Sequence, residues 1–166
     1  MAINKRIFKF FFPSLTPAYL IRVGLVALSA YLIFGYLLIP FRIQGTSMEP
    51  TYQNGQINFC WKLRYLFSKP RRGDVVVIRL TGQKVTLLKR VIALEHEVIE
   101  FHNGKLLING VEQEEPYLRY PYDWTLPARW VEPDSIYVVG DNRRGPIQNQ
   151  IFGQTSLKRV LGGPLW

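Results

Sequence analysis

The chain has 166 residues, which is room for one compact domain plus an appendage, and its 21 Lys+Arg against 12 Asp+Glu give a net charge of +9. That charge favours an anionic partner, either a membrane surface or a nucleic acid. The single cysteine, Cys60, excludes an internal disulfide and forms no metal-ligand cluster with His96 and His102. We therefore expect a buried Cys60, no metal site and no cofactor.

An uncharged apolar segment near the N-terminus predicts a membrane anchor. No charged residue occurs from Val23 to Phe41, and a helix over this stretch would cover about 28 Å, enough to cross a bilayer core. We predict a transmembrane segment over residues 18–41. A removable signal peptide is the alternative, because Ala27-Leu28-Ser29 loosely fits a cleavage site, but the apolar run continues well past it.

The charge in front of this segment predicts its orientation. Residues 1–17 carry Lys5, Arg6 and Lys9 and no acid. The positive-inside rule then places residues 1–17 in the cytoplasm and residues 42–166 as a domain on the outer side of the plasma or inner membrane.

Beyond the anchor, β-branched runs separated by turn residues predict a mostly β fold, an antiparallel β-domain. Asn103-Gly104 is a strong hairpin signal, and Asn109-Gly110 and Thr81-Gly82-Gln83 mark further turns. Residues 112–134 contain four prolines and predict an irregular loop. The predicted strands are Gln56–Trp61, Asp74–Leu80, Val85–Ala93, Glu97–Phe101, Lys105–Ile108 and Ser135–Gly140.

Residues 61–72 interleave five cations with bulky apolar and aromatic side chains. This composition is typical of a bilayer interface, where aromatic rings lie at headgroup level and cations meet anionic lipid. A solvated surface loop and a nucleic-acid contact are the alternatives. The predicted anchor favours lipid over nucleic acid, and we expect no nucleic-acid partner.

The loop Gly45–Thr51 follows the anchor and holds a candidate nucleophile, Ser47. A serine hydroxyl needs a base to take its proton, and histidine is the usual one. Neither histidine suits this role, because His96 lies between two glutamates at a predicted turn and His102 adjoins a hairpin. On this basis a lysine is the remaining choice.

Lys89 interrupts an apolar face of a predicted strand. Period-2 alternation places Val85, Leu87, Lys89 and Val91 on one side. Burial there would lower the pKa of the lysine from its usual value of about 10.4, which a general base near neutral pH requires. The alternative is a lysine on an edge strand that protects against aggregation.

Four short motifs occur in order along the chain: Ser47-Met48-Glu49-Pro50, Arg72-Gly73-Asp74, Lys89-Arg90-Val91, and Gly140-Asp141-Asn142-Arg143 with Gly153. Their order and their position after an anchor resemble the boxes of the type I signal peptidases, the Ser/Lys membrane endopeptidases. The resemblance covers about residues 20–162. It implies a β catalytic domain on the outer membrane face that removes signal peptides from preproteins after small residues.

The resemblance also implies roles for individual residues. Ser47 would be the nucleophile and Lys89 the general base, with structural support near the site from Arg90, Asp141, Asn142 and Arg143. Shallow apolar pockets would select small side chains, and adjacency to Ser47 and Lys89 suggests Ile43, Met48, Leu87 and Leu88 as their lining.

The chain departs from the family pattern at the site. Relatives commonly carry a serine two positions before the nucleophile, where this chain has Gly45, so a second oxyanion donor would be Thr46 or water. Relatives commonly read G-D-N-R-x-x-S-x-D-S-R in the last box, where this chain has Pro146, Gln148 and Gln150. Asn142, Gln148 or a backbone carbonyl are then candidates for orienting Lys89.

Three hypotheses follow from the sequence. The first is an active single-pass signal peptidase. The second is a specialised peptidase that matures one substrate, such as a pilin, as the short chain and altered last box suggest. The third is a catalytically silent, membrane-anchored binding domain, which Pro146 and Gln148 suggest.

Overall fold

The computed structural model describes residues 15–79, 86–150 and 153–166, and the chain divides into two compact units, residues 1–37 and residues 38–166. The predicted turn Thr81-Gly82-Gln83 and Val85 lie outside the described residues.

The first unit contains an apolar helix. Helix α1 spans Pro17–Leu32 and continues as a π-helix over Ile33–Leu37. Thr16 caps it by accepting a hydrogen bond from the Tyr19 N–H, and Pro17 occupies the first turn, where its missing donor is not needed. The 21 residues are long and apolar enough to cross a membrane. The helix stops at Leu37, before the helix breaker Pro40, which lies in a strand, whereas the predicted transmembrane segment extends to Phe41.

The second unit is built from antiparallel strands. Within the described ranges, the larger sheet has the order β1-β2-β11-β3-β4-β9-β10 and the smaller sheet the order β7-β6-β5-β8. The strands are β1 Leu38–Arg42, β2 Ile57–Trp61, β3 Val75–Arg79, β4 Thr86–Ala93, β5 Val98–His102, β6 Lys105–Ile108, β7 Val111–Gln113, β8 Leu126–Trp130, β9 Ser135–Val139, β10 Gly153–Ser156 and β11 Val160–Pro164. The predicted mostly β, antiparallel class is therefore confirmed.

Each strand predicted from β-branched runs is present. Their described ends differ from the predicted ones by about one residue, because turn residues fix where pairing stops. The prediction of an irregular loop over 112–134 is wrong in part: β7 and β8 occupy its two ends. Pro127 is tolerated in β8 because that strand lies at the edge of its sheet, where a missing N–H breaks no ladder.

Apolar side chains from both sheets form the core of the second unit. The largest buried cluster joins β4, β5, β6 and β9 around Phe101 and Trp124, whose rings meet edge to face with centroids 5.6 Å apart. A second cluster lies under the loop after β1 and includes Cys60, which is buried as predicted. This second cluster supports the loop that carries Ser47.

Two Asn-Gly turns of the smaller sheet allow a matched test of local packing. Gly104 and Gly110 both have a φ of +79°, but a Cβ at Gly104 would lie 2.7 Å from the Tyr122 carbonyl oxygen, whereas a Cβ at Gly110 meets nothing within 4 Å. We expect Gly110→Ala to cost about 1 kcal/mol of unfolding free energy from its left-handed backbone alone. Gly104→Ala should cost clearly more, measured by chemical denaturation. Equal losses would contradict the packing account.

Candidate active site

The loop that carries Ser47 connects β1 to β2 and is held by its own backbone. Gly45 has a φ of +91°, which glycine adopts freely, and its N–H donates to Asn54 Oδ1 at 3.0 Å. Ile43 on the near side exchanges two hydrogen bonds with the far side of the loop: its N–H donates to the Gln56 carbonyl and its carbonyl accepts from the Gly55 N–H. Ser47 itself is half-buried.

Gly140 packs directly against Ser47. A Cβ at Gly140 would lie 3.1 Å from the Ser47 carbonyl carbon and would overlap its carbonyl oxygen. That same oxygen accepts a 2.9 Å hydrogen bond from the Asn142 N–H, and the Asn142 amide nitrogen donates to the Thr46 carbonyl at 3.0 Å. The loop after β9 therefore fixes the loop that carries Ser47, and only glycine fits at position 140.

The strand register brings Lys89 to the same place. Arg90 of β4 pairs with Val139 of β9, so the next step of this antiparallel register sets Lys89 level with Gly140. Strand β4 lies between β3 and β9 and is not an edge, so the edge-strand interpretation of Lys89 is wrong. Lys89 and Ser47 both line one open cleft of about 510 Å³.

Burial controls the chemistry of Lys89. Its side chain is 2% exposed, and desolvation lowers its pKa from 10.5 to about 8, with the Asp141 carboxylate acting in the opposite direction. Among the residues described, none forms an ion pair or a hydrogen bond with the ammonium group. At pH 7 about a tenth of Lys89 is thus uncharged, and about half at pH 8, the form that a proton acceptor requires.

The predicted supports form two buried ion pairs. Arg90 binds Asp141 through two hydrogen bonds, Nε to Oδ1 at 2.7 Å and Nη2 to Oδ2 at 2.6 Å, and it also donates to the Gly73 carbonyl. Thr51 donates its hydroxyl to Asp141 Oδ2 at 2.6 Å. Asp141, which is fully buried, thus ties β4 and the Ser47 loop to the loop after β9.

The second pair involves a residue that the sequence interpretation missed. Arg143 donates from Nη2 to Glu115 Oε1 at 2.6 Å and from Nε to the Gly140 carbonyl at 2.8 Å. Tyr117 donates to the same Glu115 oxygen at 2.6 Å, and its ring lies 3.9 Å from the Arg90 guanidinium. Glu115 lies 28 residues before Arg143 in a stretch without a strand pattern, so no local signal reveals it.

The four predicted pocket residues lie together. Ile43, Met48, Leu87 and Leu88 line a cavity of about 30 Å³ that Ser47 also borders. Such a volume holds little more than a methyl-sized group or a water molecule. The cavity adjoins the larger cleft, since Gly45, Ser47 and Leu87 line both.

The altered last box contributes to the cleft in a different way from its predicted role. The Asn142 amide nitrogen donates to the Thr46 carbonyl, and its Oδ1 accepts from the Arg144 N–H. Gln148 is exposed and does not line the cleft. Gln150 does line it and donates to the Arg144 carbonyl at 3.0 Å. Neither histidine borders the cleft.

Comparison with known proteins identifies the family. Residues 17–163 match the family described as "Signal peptidase, peptidase S26". The chain belongs to this family. It is 34% identical over 128 residues to a signal peptidase I of Leptolyngbya laminosa, covering 72% of this chain and 63% of that protein. It is 30% identical over 155 residues to a probable signal peptidase I-1 of Synechocystis sp., covering 89% and 78%.

A third relative, the probable thylakoidal processing peptidase 2 of Arabidopsis thaliana, is 29% identical over 150 residues, 85% of this chain and 41% of that protein. The chain therefore spans between 39% and 63% of the length of several relatives that it matches. Within this signal peptidase family member, the acid that pairs with Arg143 is Glu115, which lies outside the four motifs of the sequence.

The burial of Lys89 predicts a stability penalty that depends on pH. Because its folded pKa is lowered, the penalty is fully present below about pH 8 and disappears as the pH rises towards 10.5, where the unfolded lysine also loses its proton. In chemical denaturation, Lys89→Met should therefore have a free energy of unfolding about 3 kcal/mol higher than the wild type near pH 7. Near pH 10.5 the two proteins should have the same free energy of unfolding. Lys158→Met, at an exposed lysine, is the control and should show no such trend. A gain independent of pH would contradict the burial account.

Glu115 predicts a contrast between a buried and an exposed ion pair. Its side chain is 6% exposed, and Arg143 opposite is 3% exposed. Glu115→Gln leaves that arginine uncompensated and should cost roughly 3 kcal/mol of unfolding free energy. Glu112→Gln breaks the exposed pair with Lys105 and should cost less than about 1 kcal/mol. Similar losses of unfolding free energy in the two variants would contradict the expectation that the buried Glu115 pair matters more than the exposed Glu112 pair.

Proposed function

We propose that this protein is a membrane-anchored serine endopeptidase that removes N-terminal signal peptides from exported preproteins, with Ser47 as nucleophile and Lys89 as general base. The observation that carries the proposal is a serine and a buried, pKa-lowered lysine on one cleft of a signal peptidase family member. The reaction needs no metal or cofactor in this scheme.

The proposed mechanism has two steps. Neutral Lys89 takes the Ser47 proton as the Oγ attacks the scissile carbonyl carbon, and it then gives that proton to the departing amine. The acyl ester on Ser47 remains. Lys89 next takes a proton from water, the hydroxide attacks the ester carbonyl, and the returned proton restores Ser47 and releases the acid. The same lysine serves both steps because it regains its neutral form after each.

The oxyanion of the tetrahedral intermediate requires fixed donors. The Ser47 N–H donates to no described residue, so it is available to bind the oxyanion. The Ser47 carbonyl is held by a hydrogen bond from the Asn142 N–H. Thr46 also lines the cleft and is the candidate for a second donor. The 30 Å³ cavity beside Ser47 supports selection of a small side chain next to the scissile bond, since a larger one would need the buried Met48 and Leu88 to move.

The proposal includes attachment to a bilayer. Helix α1 with its π-helical extension has the length and composition of a membrane span, and the positive-inside rule puts residues 1–17 in the cytoplasm and residues 42–166 outside. Residues 61–72 expose Leu66 by 58% and Phe67 by 96% among several cations. Such a surface suits an anionic lipid interface.

Cleavage of a preprotein by purified full-length protein in detergent tests the proposal. Ser47→Ala and Lys89→Met should each lower kcat by at least about a thousandfold, since catalysis by such paired groups is lost when either is removed. Ser68→Ala and Lys158→Met, at exposed positions, should retain activity. For the wild type, kcat/KM should rise with pH through about 8, as Lys89 loses its proton.

Two outcomes separate the alternatives. Absence of cleavage, together with failure of a serine-directed acylating inhibitor to label Ser47, would overturn the proposal in favour of a silent binding domain. Cleavage of a single precursor from a broad secretory panel would favour a specialised maturation peptidase, which the altered last box supports.

A further inference from the structure

Arg144 is the remaining charged residue of the last box, and it faces the substrate cleft. It lines the same 510 Å³ cleft as Ser47 and Lys89. Its backbone is held on both sides, because its N–H donates to Asn142 Oδ1 at 3.1 Å and its carbonyl accepts from Gln150 Nε2 at 3.0 Å. Asn142 also binds the Thr46 carbonyl, so Arg144 is tied to the nucleophile loop through one side chain.

The Arg144 guanidinium is oriented but not neutralised. It lies over the Tyr120 ring at 3.8 Å from the ring centroid, a contact that holds its plane and leaves its N–H edge free to donate. All 12 Asp and Glu residues of the chain fall in the described ranges, and none of the ion pairs found there includes Arg144. The carboxylate that would complete this site is therefore not supplied by the chain itself.

The other charges of the cleft do not replace Arg144. Glu49, the acid that lines it, accepts a long 3.5 Å hydrogen bond from the Asn54 N–H and forms no ion pair with Arg144 among the described contacts. Lys89 must be uncharged when it acts as a base. Arg144 is thus the fixed cation of the working cleft. It does not line the small cavity beside Ser47, whose cation is Arg42.

We propose that Arg144 is a specificity-determining residue that selects substrates with an Asp or Glu side chain close to the scissile bond, in the polar part of the cleft outside the small cavity. An arginine recognises a carboxylate through two parallel N–H donors, which fixes orientation as well as charge. This inference rests on the proposed peptidase function, and it adds to small-residue selection a requirement on a neighbouring position.

A positional charge scan of the substrate tests the inference. One preprotein with its small residues kept is made with Asp, Asn or Lys at each of four positions on either side of the scissile bond. Cleavage is measured with full-length wild type, Arg144→Gln, Arg144→Glu, and the control Arg159→Gln, which removes an exposed arginine that borders neither cavity. Both kcat and KM are determined.

We expect one position at which wild type prefers Asp to Asn by roughly three- to tenfold in kcat/KM, mainly through KM, which corresponds to a partly exposed ion pair. Arg144→Gln should abolish this preference, Arg144→Glu should invert it towards Lys, and Arg159→Gln should keep it. The Asn substrates should be cleaved at similar rates by the wild type and by Arg159→Gln.

An Asp preference that persists in Arg144→Gln, or no preference at any position in the wild type, would overturn the inference while leaving the peptidase proposal intact. Failure of the wild type to cleave any substrate of the scan, at a level above Ser47→Ala, would overturn both. The two failures are therefore distinguishable in one experiment.

Discussion

The close contact between Gly140 and Ser47 is the constraint on which the site depends. It joins a loop that follows β1 to a loop that follows β9, two segments more than 90 residues apart along the chain. Because the Ser47 carbonyl fills the space that a side chain at position 140 would need, the two backbones lie too close together for any residue but glycine. The hydrogen bonds of Asn142 then fix the relative position of the loops.

The charges around this contact divide into two kinds. Arg90 with Asp141 and Arg143 with Glu115 are compensated pairs that brace the loop after β9, and Tyr117 connects them by binding Glu115 and stacking on Arg90. Lys89 is the opposite case, a buried amine in the middle of a sheet without a carboxylate bonded to it among the described residues. The ion pairs therefore stabilise the loop after β9, whereas the burial of Lys89 favours the neutral form of its amine.

The loop after β9 is held both from within and from outside its own sequence. Within it, the uncharged Gln150 donates to the Arg144 carbonyl at 3.0 Å. From outside, Glu115 is the acidic partner of Arg143 and comes from the chain that leads from β7 to β8. The ion pair that supports this loop is therefore completed by a residue far from it in sequence.

The sequence by itself determined what depends on neighbouring residues. The charge-free run predicted an apolar helix, β-branched runs predicted most strands, and the order of short motifs marked Ser47, Lys89 and the pocket residues as candidates that do line adjoining cavities. Hydropathy alone does not mark where the helix ends, at Leu37; Pro40, a helix breaker inside the apolar run, does indicate that the helix ends before it.

Only the tertiary structure decided what depends on residues distant in the chain. Strands β1, β10 and β11 exist through pairing with β2, β9 and β3 and lack a strong pattern of their own. Likewise, Lys89 is buried because β4 lies between β3 and β9 in the sheet. The ion-pair partner of Arg143, Glu115, lies 28 residues away in the chain. Burial and ion pairing are properties of the assembled sheet, so no local pattern encodes the lowered pKa of Lys89 or the role of Glu115.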